Sequence, residues 1–390
     1  MNLGFADHLA SWHIRRVDGF LVTGRSNVVG CGHSLVPRWL DPLEHEHLAR
    51  WRALLQRTRH DFHQLPEYVA IEADRLGGRG VALLVEDPRA PERAALLPLI
   101  LRSLPSGEGC DATSPYGYPG PLFTSADPRF ETAAVGCFVA AMAKRDVASA
   151  FVRLHPLLRI PDQALARFGS LVDHGPTVWI DLETDEATQW ANYRGTHRNL
   201  VRRATRDGLR VRFDDAFARL DEFYPIYAET MARLGATTCD MDHSYLQRLA
   251  AVLLGRGYLA LVEHGDQVIA GGVFSSCSGI VQYHLSGTAT AWQRASPSRL
   301  MLDEVRRRQA ARGDWRMHLG GGVGAQEDPL FRFKRGFSSE RGRFCSWRVT
   351  PNPALHDRLV ADWQAGGGSR EAAGEFFPLY RAPITKRASA

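Results

Sequence analysis

The chain has 390 residues, 44% hydrophobic and 23% charged, with a formal net charge of +5 and a pI near 9.0. That length suits two or more domains with separate cores, and the composition is ordinary for a soluble globular protein. No uninterrupted apolar run approaches the ~20 residues of a membrane span, so stable membrane insertion is not expected. The basic balance permits a polyanionic partner without demanding one.

The opening 16 residues carry Asp7, His8 and His13 among apolar residues and lack a signal-peptide core. The six cysteines, Cys31, Cys110, Cys137, Cys239, Cys277 and Cys345, show no C-x-x-C spacing. They fit reduced thiols of a cytoplasmic protein better than a disulfide frame or a zinc site.

Residues 1–40 read as strands and loops. Helices are expected over 43–59 and 65–76, strands over 81–85 and 94–104, a helix over 130–145 and a strand over 148–154. Between them, Ser114-Pro115-Tyr116-Gly117-Tyr118-Pro119-Gly120-Pro121 forms a Gly/Pro loop. Its two tyrosines, Tyr116 and Tyr118, either wall a binding site or cap the core from a rigid turn.

The second half repeats the order. A strand is expected over 178–182, a helix over 194–206, a strand over 209–213 and helices over 217–234 and 243–254. A hairpin spans 258–274 across His264-Gly265-Asp266. Strands over 280–285 and 316–319 flank a helix over 299–312, and a last strand covers 343–349. The repeat is one of topology, so two similar α/β (α+β) domains are expected, each a mixed central sheet flanked by helices. The boundaries are 1–175, completed by 350–375, then 176–349, with a flexible tail over 366–390.

The segment from His318 to Phe337 is the most informative. A short apolar run ends in Gly320-Gly321-Gly322-Val323-Gly324, and Leu330-Phe331-Arg332-Phe333-Lys334-Arg335-Gly336-Phe337 follows. The glycines mark a strand opening into a loop of unusual backbone angles or close approach. Lysine occurs in this chain only at Lys144, Lys334 and Lys386. A lysine kept at 334 among so many arginines fits a need for a compact ammonium of tunable pKa. The alternative is an ordinary surface lysine. Gly320, Gly322 and Ala325 satisfy a loose dinucleotide spacing, but Pro329 interrupts where a long helix should run.

On the helix over 194–206, Arg194, Arg198, Arg202 and Arg206 recur every fourth residue, flanked by His197 and Arg203. Like charges at that spacing repel, and an anionic ligand would offset the repulsion. A solvated face opposed by acids from elsewhere is the plainer reading. Tyr283-His284 lies on a central strand and either lines a cleft or is buried and satisfied. No G-x-S-x-G, H-E-x-x-H, P-loop or paired cysteine ligands occur, so covalent-serine and metal chemistry lack local support.

These segments resemble acyltransferases of the GNAT fold, and most closely the FemABX group. That group carries two such domains and transfers amino acids from aminoacyl-tRNA to an amine, typically of a cell-wall precursor. The resemblance rests on residues 114–121, 194–208, 283–288 and 318–337 and spans roughly residues 40–360. It implies two tandem GNAT-like domains. It places Phe333 and Lys334 at the transfer centre and Arg198 or a neighbour, Arg202 or Arg203, at the acceptor's phosphates. Tyr116, Tyr118, Tyr283, His284 and Gly321 become substrate-binding candidates.

Two departures matter. GNAT enzymes that use acetyl-CoA hold pyrophosphate with a glycine-rich loop before a helix. Here that place reads Gln293-Arg294-Ala295-Ser296-Pro297-Ser298, without glycine, so acetyl-CoA is the less favoured donor. Some family members also carry an acid just after the Gly-Pro turn, whereas here the first acid is Asp127. The expectation is therefore an aminoacyltransferase with aminoacyl-tRNA as co-substrate and an amine acceptor that can bear phosphate. No resident cofactor or metal is expected. The alternatives are an acyl-CoA-dependent N-acyltransferase and a non-catalytic nucleotide- or RNA-binding module.

Overall fold

The computed structural model describes residues 35–104, 107–235 and 241–384. Residues 1–34, with Cys31, lie outside them, as do Cys239 and Lys386. The described chain divides into two compact units. One is Gly175–Arg343, and the other joins residues 35–174 to residues 344–384.

In chain order the amino-proximal unit carries β1 (Val36–Leu40), α1 (His45–Leu55), α2 (Pro66–Arg75), β2 (Arg79–Glu86), β3 (Ala94–Ser103), β4 (Cys110–Thr113), β5 (Leu122–Phe123), α3 (Pro128–Ala143), β6 (Val147–Arg153) and α4 (Asp162–Phe168). The chain passes through β7 (Ser170–Asp181) into the carboxy-proximal unit. There it forms α5 (Glu186–Ala191), α6 (Gly195–Arg206), β8 (Arg210–Asp214), α7 (Leu220–Arg233), α8 (His243–Leu253), β9 (Gly257–His264), β10 (Gln267–Cys277), β11 (Ile280–Thr288), α9 (Pro297–Ala311), β12 (Arg316–Gly320) and α10 (Pro329–Lys334). It returns through β13 (Arg341–Val349) to α11 (Pro353–Ala365) and α12 (Arg370–Ala373).

The amino-proximal strands lie in the order β1-β2-β3-β4-β6-β13, with β5 on β3. All these pairs are antiparallel except β4 with β6. Val81, Leu83 and Val85 alternate along β2 and enter one core with Phe130, Val135, Phe138 and Met142 of α3, as the period-two and helical patterns require. The carboxy-proximal order is β7-β12-β11-β10-β9-β8, parallel only between β11 and β12. Its core joins Tyr258, Ala260 and Val262 of β9 to Leu300, Met301 and Val305 of α9 and to Phe331 and Phe337.

Three helices begin at a proline preceded by a capping side chain. Asp127, Asp328 and Asn352 accept from the backbone N–H of Arg129, Phe331 and Leu355 at 3.0, 2.7 and 3.1 Å. The short α10 is therefore written locally, in Asp328-Pro329.

The stretch expected as a flexible tail is anchored over residues 366–384. The Trp363 indole donates to the Ala382 carbonyl at 2.9 Å, and Arg381 donates to Asp111 at 2.8 Å. The Tyr380 hydroxyl lies 2.6 Å from that of Ser149. Glycine content predicts freedom only where no side chain beyond it finds a partner, and here aromatic and arginine groups do. Among the described residues, no helix is long and apolar enough to cross a membrane.

Candidate active site

In the carboxy-proximal unit, β11 and β12 pair only through Ile280↔Arg316, Val281↔Met317 and Gln282↔His318. Each strand then carries an irregularity. Along β11, Val273↔Leu285 is followed by Phe274↔Tyr283, so His284 has no opposite residue on β10. Along β12, His318↔Trp179 is followed by Gly320↔Val178, which leaves Leu319 extra. An extra residue bends and twists its strand. The two parallel strands part at these bulges. At the last paired position the buried side chains of Gln282 and His318 meet at 3.1 Å.

Beyond the parting, Gly320 turns the chain with φ +78° and α10 brings Lys334 back toward the strand end. Lys334 is 8% exposed, and its ammonium donates to the Gly321 carbonyl at 2.7 Å. Burial pushes its pKa down to about 8, against the opposing pull of the Asp328 charge. Lys334 is therefore buried and is not a surface lysine.

Its neighbourhood is held by a histidine that sequence reasoning left aside. His197 of α6 is buried, and its Nε2 donates to the Phe333 carbonyl at 2.9 Å. Its ring rests on Gly336, where an added Cβ would stand 2.2 Å from the ring. Burial first, then the charges of Arg299 and Arg194, lower its pKa to about 4 and keep it neutral. The Arg194 backbone N–H donates to Gly336 at 2.9 Å, so the start of α6 and the end of α10 are fixed together. The legible signal was Gly336 beside the aromatic run; its partner 139 positions earlier was not legible.

The three arginines expected to meet phosphate differ. Arg198 donates to the Ala191 carbonyl at 3.0 Å and to that of Tyr193, closing the end of α5. Arg203 pairs with Asp207 at 3.3 Å. Arg202 lies over the Trp190 ring at 5.5 Å, on a groove of about 520 Å³ that Arg206, Asp303 and Arg307 also line. The spacing placed Arg198 and Arg202 on one face with Arg203 beside them, but local carbonyls and acids engage two of the three.

Arg299, which the sequence did not single out, stands closer to the lysine segment. It lies in the first turn of α9 with its guanidinium 5.0 Å from the centre of the Phe333 ring. Tyr283 is half-buried, stacks on Phe274 at 5.2 Å and donates to Ser286 at 2.6 Å. It packs against the core that Phe333 also borders. His284 is half-buried at the bulge.

Tyr116 and Tyr118 belong to the amino-proximal unit. Both are half-buried, and burial raises both phenols above their usual range. The Tyr116 N–H donates to Glu72 at 2.9 Å, and its carbonyl accepts from the Tyr68 hydroxyl at 3.2 Å. The Tyr118 ring stands edge-on to His63, His155 and Phe344. Beneath it lie Asp61, His63 and His155, all buried and spaced as metal ligands could be. Asp61 Oδ2 takes His63 Nδ1 at 3.0 Å and His155 Nε2 at 3.2 Å. His155 Nδ1 accepts from the Leu157 N–H at 3.1 Å, which places the ring proton on Nε2, facing the carboxylate. That tautomer describes a hydrogen-bonded triad, because a metal on Nε2 would turn Nδ1 into a donor against Leu157.

Comparison with known proteins extends the description. Residues 191–335 match the family model described as an acetyltransferase (GNAT) domain. No curated protein matches the sequence. Among solved structures, FemX is 14% identical with a TM-score of 0.61, covering 76% of this chain and 95% of its own. The C-terminal domain of a putative lysylphosphatidylglycerol synthetase from Agrobacterium fabrum is 15% identical with a TM-score of 0.52, covering 82% and 96%. A conserved protein of unknown function from Bacteroides thetaiotaomicron is 10% identical with a TM-score of 0.52, covering 78% and 97%. At these identities the likeness is one of fold: the chain is α/β, with two tandem GNAT-like domains, each a mixed sheet flanked by helices.

Proposed function

We propose that this chain is an aminoacyltransferase that moves an amino acid from aminoacyl-tRNA to the amine of a small-molecule, peptide or cell-wall-precursor acceptor. The buried Lys334 ammonium, held on the Gly321 carbonyl where β11 and β12 part, is the observation that carries it. In the reaction the acceptor amine attacks the ester carbonyl that joins the amino acid to the tRNA 3′ end. A C–N bond forms, the ester C–O bond breaks, and the proton lost by the amine ends on the departing ribose hydroxyl. Lys334 stabilises the oxyanion or that leaving oxygen, a preorganised charge worth about 3 kcal/mol. The ester is already activated, so positioning by Phe333 and the strand ends supplies much of the rest.

The start of α9 supports an RNA donor over a CoA donor. Ser296 sits at φ +55° without a side-chain cap, and Pro297 at the first helical position has no N–H to offer a pyrophosphate. The Arg202–Trp190 groove offers a cation and an aromatic face of the kind that suits RNA. The likeness in fold to FemX and to a putative lysylphosphatidylglycerol synthetase domain supports amino-acid transfer. A second reading, acyl-CoA-dependent N-acylation, is favoured by the acetyltransferase family match over residues 191–335.

The test is incorporation of labelled amino acid into an amine acceptor with and without ribonuclease, beside a thiol-release assay with acetyl-CoA. Transfer should vanish with ribonuclease and weaken steeply with salt as counterions are released. Ribonuclease-insensitive transfer with stoichiometric thiol release would make the acyl-CoA reading the better one.

A further inference from the structure

The rung at which β11 and β12 last pair is made of two buried polar side chains, Gln282 and His318. It continues onto β10, where buried Ser275 stands opposite Gln282. The parallel pair β4–β6 of the other unit ends on Ala112↔Ala150 and Thr113↔Phe151, so the fold does not demand an amide and an imidazole there. Burying them costs free energy that an apolar pair would not. Side chains alternate between the faces of a sheet. Val281 and Met317, each one residue before, enter the core that Phe331 of α10 also enters. Gln282 and His318 therefore face away from that core, whereas α10 brings Lys334 to the strand end from its side. The opening between the strands has an imidazole on one side and an ammonium on the other.

The pair also fixes a proton. An amide oxygen only accepts, so His318 Nδ1 donates to the Gln282 oxygen at 3.1 Å and Nε2 is the basic nitrogen of the ring. We propose that His318 is the general base of the transfer, with Gln282 as the positioning residue that holds its tautomer. The proposal rests on Lys334 as the transfer centre and adds a proton path to it. The acceptor amine forms the C–N bond while its N–H proton passes to His318 Nε2. As the bond to the leaving group breaks, His318 returns that proton to the departing oxygen, or to sulfur where the donor is a thioester, and is neutral again. Attack on a planar carbonyl comes from one of its faces. A base and an oxyanion partner on different sides of the opening suit that step. His318 supplies the base that the residues after Gly120-Pro121 lack, where the first acid is Asp127.

The test uses the full chain, glycinamide and a lysine-bearing peptide as acceptor probes, and whichever donor, mixed aminoacyl-tRNA or acetyl-CoA, supports transfer. His318→Gln keeps an amide donor toward Gln282 and removes the base. Its kcat should fall about a hundredfold or more, KM for the donor should change less, and the acid limb of the kcat profile should disappear. Gln282→Glu sets a carboxylate against Nδ1–H and favours the imidazolium, so the acid limb should move to higher pH. A purely structural pair would leave that limb in place. Circular dichroism and melting temperature check the fold of each variant, and nitrogen NMR of histidine-labelled protein reads the tautomer. An Nε2–H tautomer, or wild-type kcat and pH profile in His318→Gln, overturns the inference. Should His318→Gln fail to fold, an unmoved acid limb in Gln282→Glu overturns it. So does an acid limb that vanishes in His284→Gln instead. Wild-type protein inactive with both donors overturns the transfer reading and the base with it. Transfer that is lost in Lys334→Met but unchanged in His318→Gln removes the base alone.

Discussion

Among the described residues each unit contains one parallel strand pair, and the two pairs end differently. In the amino-proximal unit β4 pairs with β6 through Thr113↔Phe151, and the loop that follows stays stitched to β6. The Ser114 N–H donates to Phe151 at 2.8 Å, the Arg153 N–H to the Ser114 hydroxyl at 3.0 Å, and the Gly120 N–H to Arg153 at 2.9 Å. Asp61, His63 and His155 fill the space beneath. In the carboxy-proximal unit β11 and β12 separate after Gln282↔His318, and a lysine ammonium stands at the opening on a single carbonyl. In both units a glycine makes a bed for a histidine ring, Gly117 for His63 and Gly336 for His197. One strand end is closed by matched donors and acceptors and serves stability. The other holds a buried ammonium on a single carbonyl and is the end to which the proposed transfer is assigned.

The sharpest way to break this comparison is Asp61→Ala. It strips the carboxylate from two buried imidazoles and should destabilise the fold by about 3–5 kcal/mol, read by urea denaturation. A loss below about 1 kcal/mol would mean the triad contributes little to the closed end.

Lys334→Arg should reduce transfer by about a hundredfold or more, because a planar fork cannot occupy a point-charge position on the Gly321 carbonyl. Turnover near that of the wild type would remove Lys334 from the mechanism. Lys334→Met should also lose transfer while raising stability at pH 7 by about 1–2 kcal/mol, since the buried ammonium costs stability wherever it is charged. With a folded pKa of about 8, transfer should decline as pH rises through 8 and the ammonium loses its proton.

The histidines set the acid limit. Burial leads in lowering both His174 and His197 to about 4 from a usual 6.5. Between those values the unfolded chain binds more protons, so stability is full above pH 6.5 and falls as pH drops toward 4. Each contributes about 2 kcal/mol. His197→Gln should flatten that acid limb in a melting series and loosen α10, lowering transfer as well. An unchanged limb would show that His197 is protonated in the fold.

Smallest is the exposed face of α6. Arg203→Ala should change stability by no more than about 0.5 kcal/mol. Arg202→Glu should weaken RNA binding and lower the salt slope by about one counterion, measured by filter binding at several salt concentrations. Equal salt slopes for Arg202→Glu and wild type would take the Trp190 groove out of the RNA path.

Much of this was legible in the residues. The apolar run over residues 81–85 and the turn His264-Gly265-Asp266 place their elements within a few residues, because each depends on neighbours along the chain. The rarity of lysine marked Lys334 before any fold was known. The bond from Arg198 to the Ala191 carbonyl was not legible, because a helical face shows which side chains are neighbours but not which distant carbonyl meets one of them. The triad was illegible because Asp61 and His155 meet across 94 positions, and that meeting depends on how β6 emerges beside the turn at residues 62–64.

By itself, then, the sequence determined most of the longer helices and strands, their repeated order and the glycine-to-lysine segment, since these follow from steric and periodic rules that act over a few residues, while the helices over Asp162–Phe168, Glu186–Ala191 and Pro353–Ala365 went unread. Only the tertiary structure decided which charges are paired, which strand end is closed and which cation lies over Phe333. Pairing and desolvation belong to the space around a group, and that space is filled by residues far away along the chain.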